Sequence, residues 1–325
     1  MKKNIAIVAG GDSSEVVVSL KSAAGLYSFI DKDRYNLFIV TLVGKVWQVE
    51  WSDDEKIAID KNDFSFTRNG EKTTFDFAYI TIHGTPGENG ILQGYFQLIG
   101  LPFSCCDVLA AAITFNKFTC NQYLKGFGVK VSESMVLRAG QTVSDEEVAS
   151  TIGFPCFVKP NVGGRSFGVT KVKTIDQVQT AIAKAFEEGD EVMIEAFMSG
   201  TEITCGMYKT KQKTVVFPIT EVVPENEFFD FDAKYKGQVQ EITPARISEA
   251  LTARVQKLTA AIYDILGCKG IVRIDYIISE GDVINLLEVN TTPGMTATSF
   301  IPQQVRAAGL DIKDVMTDII ENELL

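Results

Sequence analysis

The sequence predicts a fold that combines an α/β region at the amino end with α+β regions after it. In the first region, apolar runs typical of buried strands alternate with helical patterns, which predicts a doubly wound parallel sheet. The predicted strands and helices there are residues 4–9, 15–30, 35–43, 75–82 and 90–99. Residues 107–127 are then predicted to form one long helix that crosses into the second region.

The second and third regions carry strands in succession with fewer helices, which indicates α+β organisation. The predicted strands and helices of the second region are residues 131–137, 144–152, 154–159, 168–173, 175–188 and 191–197. Those of the third region, after Ser199-Gly200, are residues 201–208, 214–223, 248–266, a hairpin within 271–290, and 311–323. The polar segment 224–245 is predicted to be a loop long enough to act as a lid. Domains are therefore expected at 1–107, 108–198 and 199–325.

Composition excludes several classes of protein. The 325 residues are 46% hydrophobic and 22% charged, as in ordinary soluble globular proteins. A formal charge of -11 argues against a nucleic-acid partner, because no broad basic face is available. No apolar run is long enough to cross a bilayer, and the apolar start runs directly into Gly11-Asp12, so we expect a first strand and a cytoplasmic protein. Six cysteines without a C-x-x-C pair, and a single histidine, argue against zinc.

The most informative segment is the hairpin, in which Gly281-Asp282 separates two apolar strands. A two-residue turn between Glu280 and Val283 places Asp275 opposite Glu288 and Arg273 opposite Asn290. Side chains two apart on a strand share a face, so these four form one polar square. Two facing carboxylates repel unless a cation joins them, and carboxylate and amide oxygens suit a hard divalent cation. The alternative is an exposed hairpin face of mixed charge.

Two segments near predicted strand ends are candidate ligand sites. Gly10-Gly11-Asp12-Ser13-Ser14-Glu15 leads into a helix, where free backbone amides attract anions, although Glu15 is equally explained as a capping residue. His83 closes the strand at 75–82, and open α/β sheets bind ligands at the carboxyl ends of their strands. A buried structural histidine is the alternative reading of His83.

A lysine and two carboxylates mark a nucleotide site. Lys159 ends an apolar strand and precedes a glycine-containing loop, an arrangement suited to phosphate groups. Glu195 is the one carboxylate in an apolar strand, and Glu202 follows at the start of the next region. Either carboxylate can accept hydrogen bonds from ribose hydroxyls or can be a solvated edge residue.

These motifs together resemble the ATP-grasp ligases and, within that fold family, the D-alanine–D-alanine ligases, over nearly the whole chain. The most specific segments are Leu287-Glu288-Val289-Asn290-Thr291-Thr292-Pro293-Gly294-Met295-Thr296, Gly267-Cys268-Lys269-Gly270 ahead of Arg273-Ile274-Asp275, His83-Gly84 with Gly87-Glu88, and Ala233-Lys234-Tyr235. The resemblance implies an ATP-grasp fold in which two α+β domains clasp ATP. It also implies a homodimer.

The resemblance implies a role for each matching position. Its Mg²⁺ ligands are Asp275, Glu288 and Asn290, holding two ions with Mn²⁺ as an alternative. Its ATP-binding residues are Lys117, Lys159, Ser166, Glu195 and Glu202. Glu15 and His83 match the grip on the first D-alanine, and Lys234, Ser299 and Phe300 match the grip on the second. The residues implied in catalysis are Glu15, Ser166, Tyr235, Arg273 and Gly294, the last two at an oxyanion site.

One position departs from the family pattern. The loop after Lys159 usually carries two serines where this chain has Arg165-Ser166. The first serine normally joins a hydrogen-bonded triad with the glutamate and lid tyrosine, here Glu15 and Tyr235. An arginine cannot replace a serine in such a triad, so the substitution bears on efficiency and substrate choice.

The resemblance implies ligation of two D-alanines through an acyl phosphate, with release of ADP and phosphate, for peptidoglycan synthesis. Three alternatives remain open. A ligase of the same fold can take D-serine or D-lactate second, although Tyr235, where lactate-using members carry histidine, disfavours lactate. A weakly active nucleotide-binding protein would result if Arg165 filled the first substrate site. A dinucleotide-dependent oxidoreductase is disfavoured because the chain lacks G-x-G-x-x-G after its first strand.

Overall fold

A computed structural model of the chain describes residues 2–13, 15–163, 168–224 and 239–324. Within these ranges the strands form three sheets, one in each predicted region. None of the helices found there is long and apolar enough to cross a membrane. The predicted α/β and α+β fold is confirmed, with corrections to individual elements.

The amino-terminal sheet is part parallel and part antiparallel. Its elements are β1 (Lys3–Gly10), α1 (Val16–Phe29), β2 (Tyr35–Val43), β3 (Val46–Glu50), β4 (Lys56–Asp60), β5 (Ser65–Arg68), β6 (Glu71–Thr73), β7 (Phe77–Ile80) and α2 (Ile91–Ile99). β1 pairs in parallel with β2 and β7, as predicted. The antiparallel meander β3 to β6, which continues from β2, was not predicted.

The predicted helix at 107–127 is wrong, because two helices occupy it: α3 (Val108–Phe115) and α4 (Lys117–Lys125). Asn116 separates them with an extended backbone, at φ -93 and ψ 101. Its side-chain oxygen accepts a hydrogen bond from the Thr119 backbone N–H, so Asn116 is the N-cap of α4. The break places Lys117 at the first position of a new helix.

The central region is a four-stranded antiparallel sheet within the described residues, in the order β10-β9-β11-β8. Its elements are β8 (Ser134–Arg138), α5 (Asp145–Thr151), β9 (Cys156–Pro160), β10 (Thr170–Val172), a 3₁₀ turn (Ile175–Gln177), α6 (Val178–Phe186) and β11 (Glu191–Ala196). The apolar side chains between this sheet and its helices form a core of their own.

The carboxy-terminal region has a second antiparallel sheet, in which β12 pairs with β13, β14 and β16. Its elements are β12 (Thr201–Lys209), β13 (Thr214–Val216), β14 (Thr220–Pro224), β15 (Val239–Ile242), α7 (Glu249–Ile265), β16 (Val272–Ser279), β17 (Val283–Asn290), α8 (Phe300–Ala307) and α9 (Ile312–Leu324). Because β15 pairs with β14, the prediction that all of 224–245 is loop is wrong at its carboxyl end. Residues 225–238 of that predicted lid lie outside the described residues.

The β16–β17 hairpin has the predicted pairing at the site and a different turn. Arg273 faces Asn290 and Asp275 faces Glu288, as predicted. Near the turn, Ser279 faces Val283, so the loop has three residues and the predicted two-residue turn is wrong. A β-bulge between these halves leaves one extra residue on β17 and restores the pairing at the site.

The apolar cores show how the regions are held together. One core joins β1 and α1 to α8 and α9, so the two ends of the chain share buried side chains. Another joins α3 and α4 to α7 and the carboxy-terminal sheet. The helices at 108–125 therefore pack on the third region, whereas the division of the chain at 107 and 198 stays a prediction.

Candidate active site

Four side chains form a polar cluster on one face of the β16–β17 hairpin. The Arg273 guanidinium donates to both Asp275 oxygens, from Nε at 2.9 Å and from a terminal nitrogen at 2.8 Å. The Asn290 amide donates to Asp275 at 3.2 Å and to Glu288 at 3.4 Å. Burial opposes charge on Arg273, but the nearby Asp275 and Glu288 carboxylates raise its pKa above the ordinary value. The predicted polar square is therefore present and held by mutual hydrogen bonds.

The same face continues onto β12. Thr204 faces Asp275, and Gly206 faces Arg273, across the β12–β16 pair. Glu202, two residues before Thr204, points to the same side of the sheet, because strand side chains alternate. Glu202 also influences the pKa of Arg273. The sequence-predicted Glu202 thus shares a face with the carboxylates.

Two lysines from other elements reach this face. Lys159, the penultimate residue of β9, forms an ion pair with Glu195 of β11, with 2.5 Å between Nζ and Oε1. Lys117, at the start of α4, donates to the Gly163 carbonyl. Burial lowers the pKa of Lys117, opposed by its attraction to Glu288, and Lys159 lies close enough to lower it further. Lys117 and Lys159 therefore lie close to the hairpin carboxylate Glu288, and the space that these side chains border is called the cleft below.

Asn161 fixes the position of Lys117, although no sequence pattern singled it out. This buried side chain accepts a hydrogen bond from the Phe118 N–H at 2.8 Å. Its amide donates to Asn116 at 2.9 Å and to Glu191 at 2.7 Å. Its backbone carbonyl accepts from the Lys117 N–H at 3.1 Å. One asparagine thus joins the start of α4 to the central sheet.

The predicted first-substrate residues lie where the amino-terminal sheet meets the carboxy-terminal loop after β17. Glu15 is the N-cap of α1, and His83 is buried with its Nε2 3.5 Å from the Ser22 hydroxyl. The Met295 N–H donates to that same hydroxyl at 3.3 Å. Ser22 therefore connects the histidine of one region to a loop of another.

Glu88 links the same two regions, although it was predicted only as a motif position. It accepts from the Gly84 N–H at 2.7 Å and from the Thr292 hydroxyl at 2.8 Å. Burial, the largest influence, raises the pKa of its carboxyl. Its place four residues after Gly84 is the signal that could have identified it.

The loop after β17 also holds the predicted oxyanion and second-substrate residues. Gly294 lies beside Ser299, whose hydroxyl accepts from the Thr296 N–H at 3.1 Å. Ser299 is the N-cap of α8, and Phe300 is its first residue. The Arg273 guanidinium lies 5.2 Å from the centre of the Phe300 ring. Predicted positions Ser166, Lys234 and Tyr235, and the departure at Arg165, lie outside the described residues.

The central sheet carries Lys159, and the carboxy-terminal sheet carries the Asp275–Glu288 carboxylate pair. Two antiparallel sheets with lysines on one and carboxylates on the other define the ATP-grasp class of ligases. Family models agree: the D-ala D-ala ligase N-terminus matches residues 4–106, and the D-ala D-ala ligase C-terminus matches residues 123–321. The chain belongs to the D-alanine–D-alanine ligase family, which confirms the resemblance predicted from its motifs.

Individual relatives agree with this assignment. A D-alanine–D-alanine ligase of Bacteroides fragilis is 74% identical over 323 residues, covering 99% of this chain and 100% of that protein. The solved VanG D-Ala:D-Ser ligase of Enterococcus faecalis is 27% identical with a TM-score of 0.87, covering 99% of this chain and 100% of that chain. A D-alanine–D-alanine ligase of Bacillus anthracis complexed with ATP is 28% identical with a TM-score of 0.77, covering 99% and 97%.

Proposed function

We propose that this chain joins two D-alanines into D-alanyl-D-alanine at the expense of ATP, releasing ADP and phosphate, and that the dipeptide supplies peptidoglycan synthesis. The observation that carries the proposal is the cleft in which Lys117 and Lys159 meet the Asp275–Glu288 carboxylate pair. High identity to relatives of that name supports D-alanine as substrate.

ATP is proposed to lie between the two antiparallel sheets. Lys117 and Lys159 would contact its phosphates, with Ser166 in the loop that follows. Glu195 and Glu202 would hold the adenine and ribose. The Lys159–Glu195 ion pair supports this arrangement. Both side chains are largely buried, and a buried ion pair contributes little net stability because desolvation offsets the attraction between the charges. A role in binding ATP therefore explains the pair better than a role in stability.

Magnesium, with manganese as the alternative, is proposed at Asp275, Glu288 and Asn290. The described residues contain no group of three or more histidine, cysteine or carboxylate side chains suited to a metal, so the set depends on the Asn290 amide oxygen. In this structure the amide nitrogen faces the two carboxylates, and a turn of the amide would bring its oxygen to them. Hard-oxygen donors fit Mg²⁺, and phosphate oxygens and waters complete its six ligands. The buried Thr204 side chain faces Asp275, and its hydroxyl has no partner within the described part of the chain, which also fits a site that a ligand completes. When bound, two such ions would neutralise charge on the phosphates.

The chemistry is proposed in two steps. A carboxylate oxygen of the first D-alanine bonds to the γ-phosphorus as the bond to ADP breaks, giving an acyl phosphate. Glu15, with His83 beside it, would hold the ammonium of that D-alanine, and Lys117 and Lys159 would attract the transferred phosphoryl group.

In the second step, the free amine of the other D-alanine bonds to the acyl carbon, loses a proton, and phosphate leaves. Arg273 and the backbone N–H at Gly294 would stabilise the tetrahedral oxyanion, since Arg273 has further N–H groups beyond the two that meet Asp275. Lys234, Ser299 and the Phe300 amide would hold the second carboxylate. Tyr235 and Ser166, with Glu15, would complete the closed site.

We further propose a cytoplasmic homodimer. An exposed apolar surface on α2 and α3 supports it: Ile91, Leu98 and Leu109 are 62%, 88% and 71% exposed. A shallow cavity of about 750 Å³ beside them is lined by Gly90, Gly94 and Val108 among others. Exposed apolar patches of this kind commonly mark subunit contacts.

The activity is tested by ADP release with Mg²⁺ and ATP in the presence of no amino acid, D-alanine, L-alanine, or D-alanine with D-serine or D-lactate. D-alanine-dependent release with D-alanyl-D-alanine as the product supports the proposal. If the product that joins D-alanine to D-serine or D-lactate forms in preference to D-alanyl-D-alanine, the second substrate site is assigned to D-serine or D-lactate instead. ATP binding without D-alanine-dependent release would favour the nucleotide-binding alternative, with Arg165 in the first substrate site.

A further inference from the structure

One buried hydroxyl on the cleft face of β12 makes no hydrogen bond to any residue that the structure describes. Thr204 is 2% exposed, and among the residues that the structure describes its Oγ1 has no partner. An unpaired buried hydroxyl destabilises the fold, and native proteins contain few of them. The hydroxyl therefore calls for a partner that it reaches only in another arrangement of the site.

The polar groups around Thr204 are already satisfied by Gln304 of α8. The Gln304 amide nitrogen donates to the Thr204 backbone carbonyl at 3.0 Å and to the Thr220 hydroxyl at 3.1 Å. Its amide oxygen accepts from the Gly206 N–H at 2.9 Å. On the β14 side, Thr220 also pairs with the Thr243 hydroxyl at 2.6 Å. This network does not include the Thr204 hydroxyl, which has a second cross-strand neighbour on β16.

That neighbour is Asp275, which faces Thr204 across the β12–β16 pair. Facing residues on antiparallel strands have Cβ atoms about 4.5–5.5 Å apart, within reach of a side-chain hydrogen bond. A carboxylate can accept about four hydrogen bonds. Arg273 supplies two to Asp275, and Asn290 supplies one. An acceptor position therefore remains for a hydroxyl donor.

We infer that Thr204 is a positioning residue for the proposed metal site: when the cation binds, its hydroxyl, unpaired among the described residues of the metal-free protein, donates to Asp275 and holds that carboxylate in the orientation that binds the cation. The inference rests on the proposed magnesium site. Donors behind metal-binding carboxylates orient them, and their removal typically weakens metal binding by about 10- to 100-fold.

The test is Thr204→Val, which exchanges the hydroxyl for a methyl group of similar size. Mn²⁺ serves as the probe, and its binding to the full-length protein with a non-hydrolysable ATP analogue is titrated by the electron paramagnetic resonance signal of the free ion. We expect binding weakened by about 10- to 100-fold. In the metal-free protein the substitution removes a buried hydroxyl that has no partner among the described residues, so the melting temperature without metal should be equal to or above that of the wild type. Thr204→Ser keeps the hydroxyl and should retain Mn²⁺ binding.

The matched control is Thr81→Val on the amino-terminal sheet, where another buried threonine hydroxyl, also 2% exposed, has no partner among the described residues. It should leave Mn²⁺ binding unchanged. Glu288→Ala separates the two proposals. If Glu288→Ala loses Mn²⁺ binding and Thr204→Val does not, the role of Thr204 is overturned and the metal site stands. If Glu288→Ala binds Mn²⁺ normally, the metal site itself is wrong, and the inference falls with it.

Discussion

At the scale of residues, the cleft separates side chains that hold the fold from side chains that serve the ligand. Asp275 is buried and bound at both oxygens by Arg273, so its loss removes both of the hydrogen bonds that this buried cation makes to it. Glu288 is more exposed, and its oxygen lies 3.9 Å from the Arg273 guanidinium. Removal of one partner of a buried pair costs about 3–5 kcal/mol, whereas loosely paired exposed charges contribute about 0–1 kcal/mol.

Glu288→Gln should therefore abolish activity while leaving the fold intact. We expect D-alanine-dependent ADP release to fall by at least about 100-fold, since a charged ligand of the proposed metal is lost. The melting temperature should change by no more than a few degrees, roughly, because Glu288 is only half-buried and Gln keeps its size. Glu280→Gln, on the exposed turn of the same hairpin, is the control and should keep full activity. Near-normal ADP release by Glu288→Gln would contradict the metal assignment.

At the scale of elements, close backbone approach sets how α1 meets the loop after β17. A Cβ on Gly25 would lie 2.1 Å from the Met295 carbonyl oxygen, a contact that no side-chain rotation can relieve. The helix thus depends on a glycine that would otherwise be unfavourable within a helix by about 1 kcal/mol relative to alanine. That loop also carries Gly294 and leads to Ser299, so helix packing and the substrate site are coupled.

Gly25→Ala should consequently destabilise the protein despite the higher helix propensity of alanine. We expect a loss of about 1–3 kcal/mol in the free energy of unfolding, typical of overpacking. Gly94→Ala in α2 is the matched control, because its nearest contact would be an ordinary 3.6 Å to the Val108 side chain. The free energy of unfolding of both variants, measured by chemical denaturation, tests this prediction. Equal or greater stability for Gly25→Ala would show that this helix contact is not tight.

Glu191 gives the link between α4 and the central sheet a dependence on pH. The Asn161 amide, followed by Asn116 and Arg138, lowers the pKa of the Glu191 carboxyl. A lowered folded pKa means that the stabilisation is present above the unfolded value of about 4.3 and is lost as pH falls through the folded value. Glu191→Gln should thus cost about 1–3 kcal/mol at neutral pH.

Denaturation of wild type and Glu191→Gln across pH 7 to 3 measures this. The difference between them should shrink below roughly pH 4, where wild-type Glu191 becomes protonated. A difference that stays constant across the range would rule out the ionised carboxylate as its source.

The strands and helices with a clear local sequence pattern were predicted correctly. The elements whose structure depends on packing or on pairing with another strand were not predicted. The alternation of Arg273 with Asp275, and of Glu288 with Asn290, placed the polar face correctly, because strand side chains alternate whatever turn joins the strands. The three-residue turn and the bulge offset one another, and neither leaves a mark in hydrophobic periodicity. The break at Asn116 shows only as a capping residue within a helical pattern.

The missed strands have a similar explanation. β3 to β6 are short and largely half-exposed, so their apolar pattern is weak. Asn69-Gly70 between β5 and β6, both with positive φ, is a hairpin signal that could have revealed them. β15 is polar and gains its structure from pairing with β14, which no local pattern encodes.

At the scale of the whole molecule, the two ends of the chain complete one core while the central region has another. Met316 and Ile320 of α9 are fully buried in the cluster that contains Ile5 and Ile7 of β1. Central side chains such as Val158 and Ile194 pack in a separate cluster. Met295 of the loop after β17 belongs to the first cluster, so that loop packs with the amino-terminal sheet, whereas Lys159 lies on the separately packed central sheet.

Met316→Ala should accordingly weaken the amino-terminal sheet although the mutation lies near the opposite end of the chain. We expect a loss of about 2–5 kcal/mol, the usual result of emptying a buried methionine site. Amide hydrogen exchange locates the effect: β1 and α1 should lose protection more than β9 and β11 of the central core. Loss of protection confined to the central sheet would contradict the shared core.

The proposed reaction through an acyl phosphate is tested most directly by the fate of the D-alanine carboxylate oxygens. With ¹⁸O in both carboxylate oxygens of D-alanine, attack on the γ-phosphorus transfers one labelled oxygen to the phosphate that is later released. We predict inorganic phosphate carrying one ¹⁸O for each D-alanyl-D-alanine formed, measured by mass spectrometry. Release of unlabelled phosphate alongside dipeptide would contradict ligation through an acyl phosphate in this cleft.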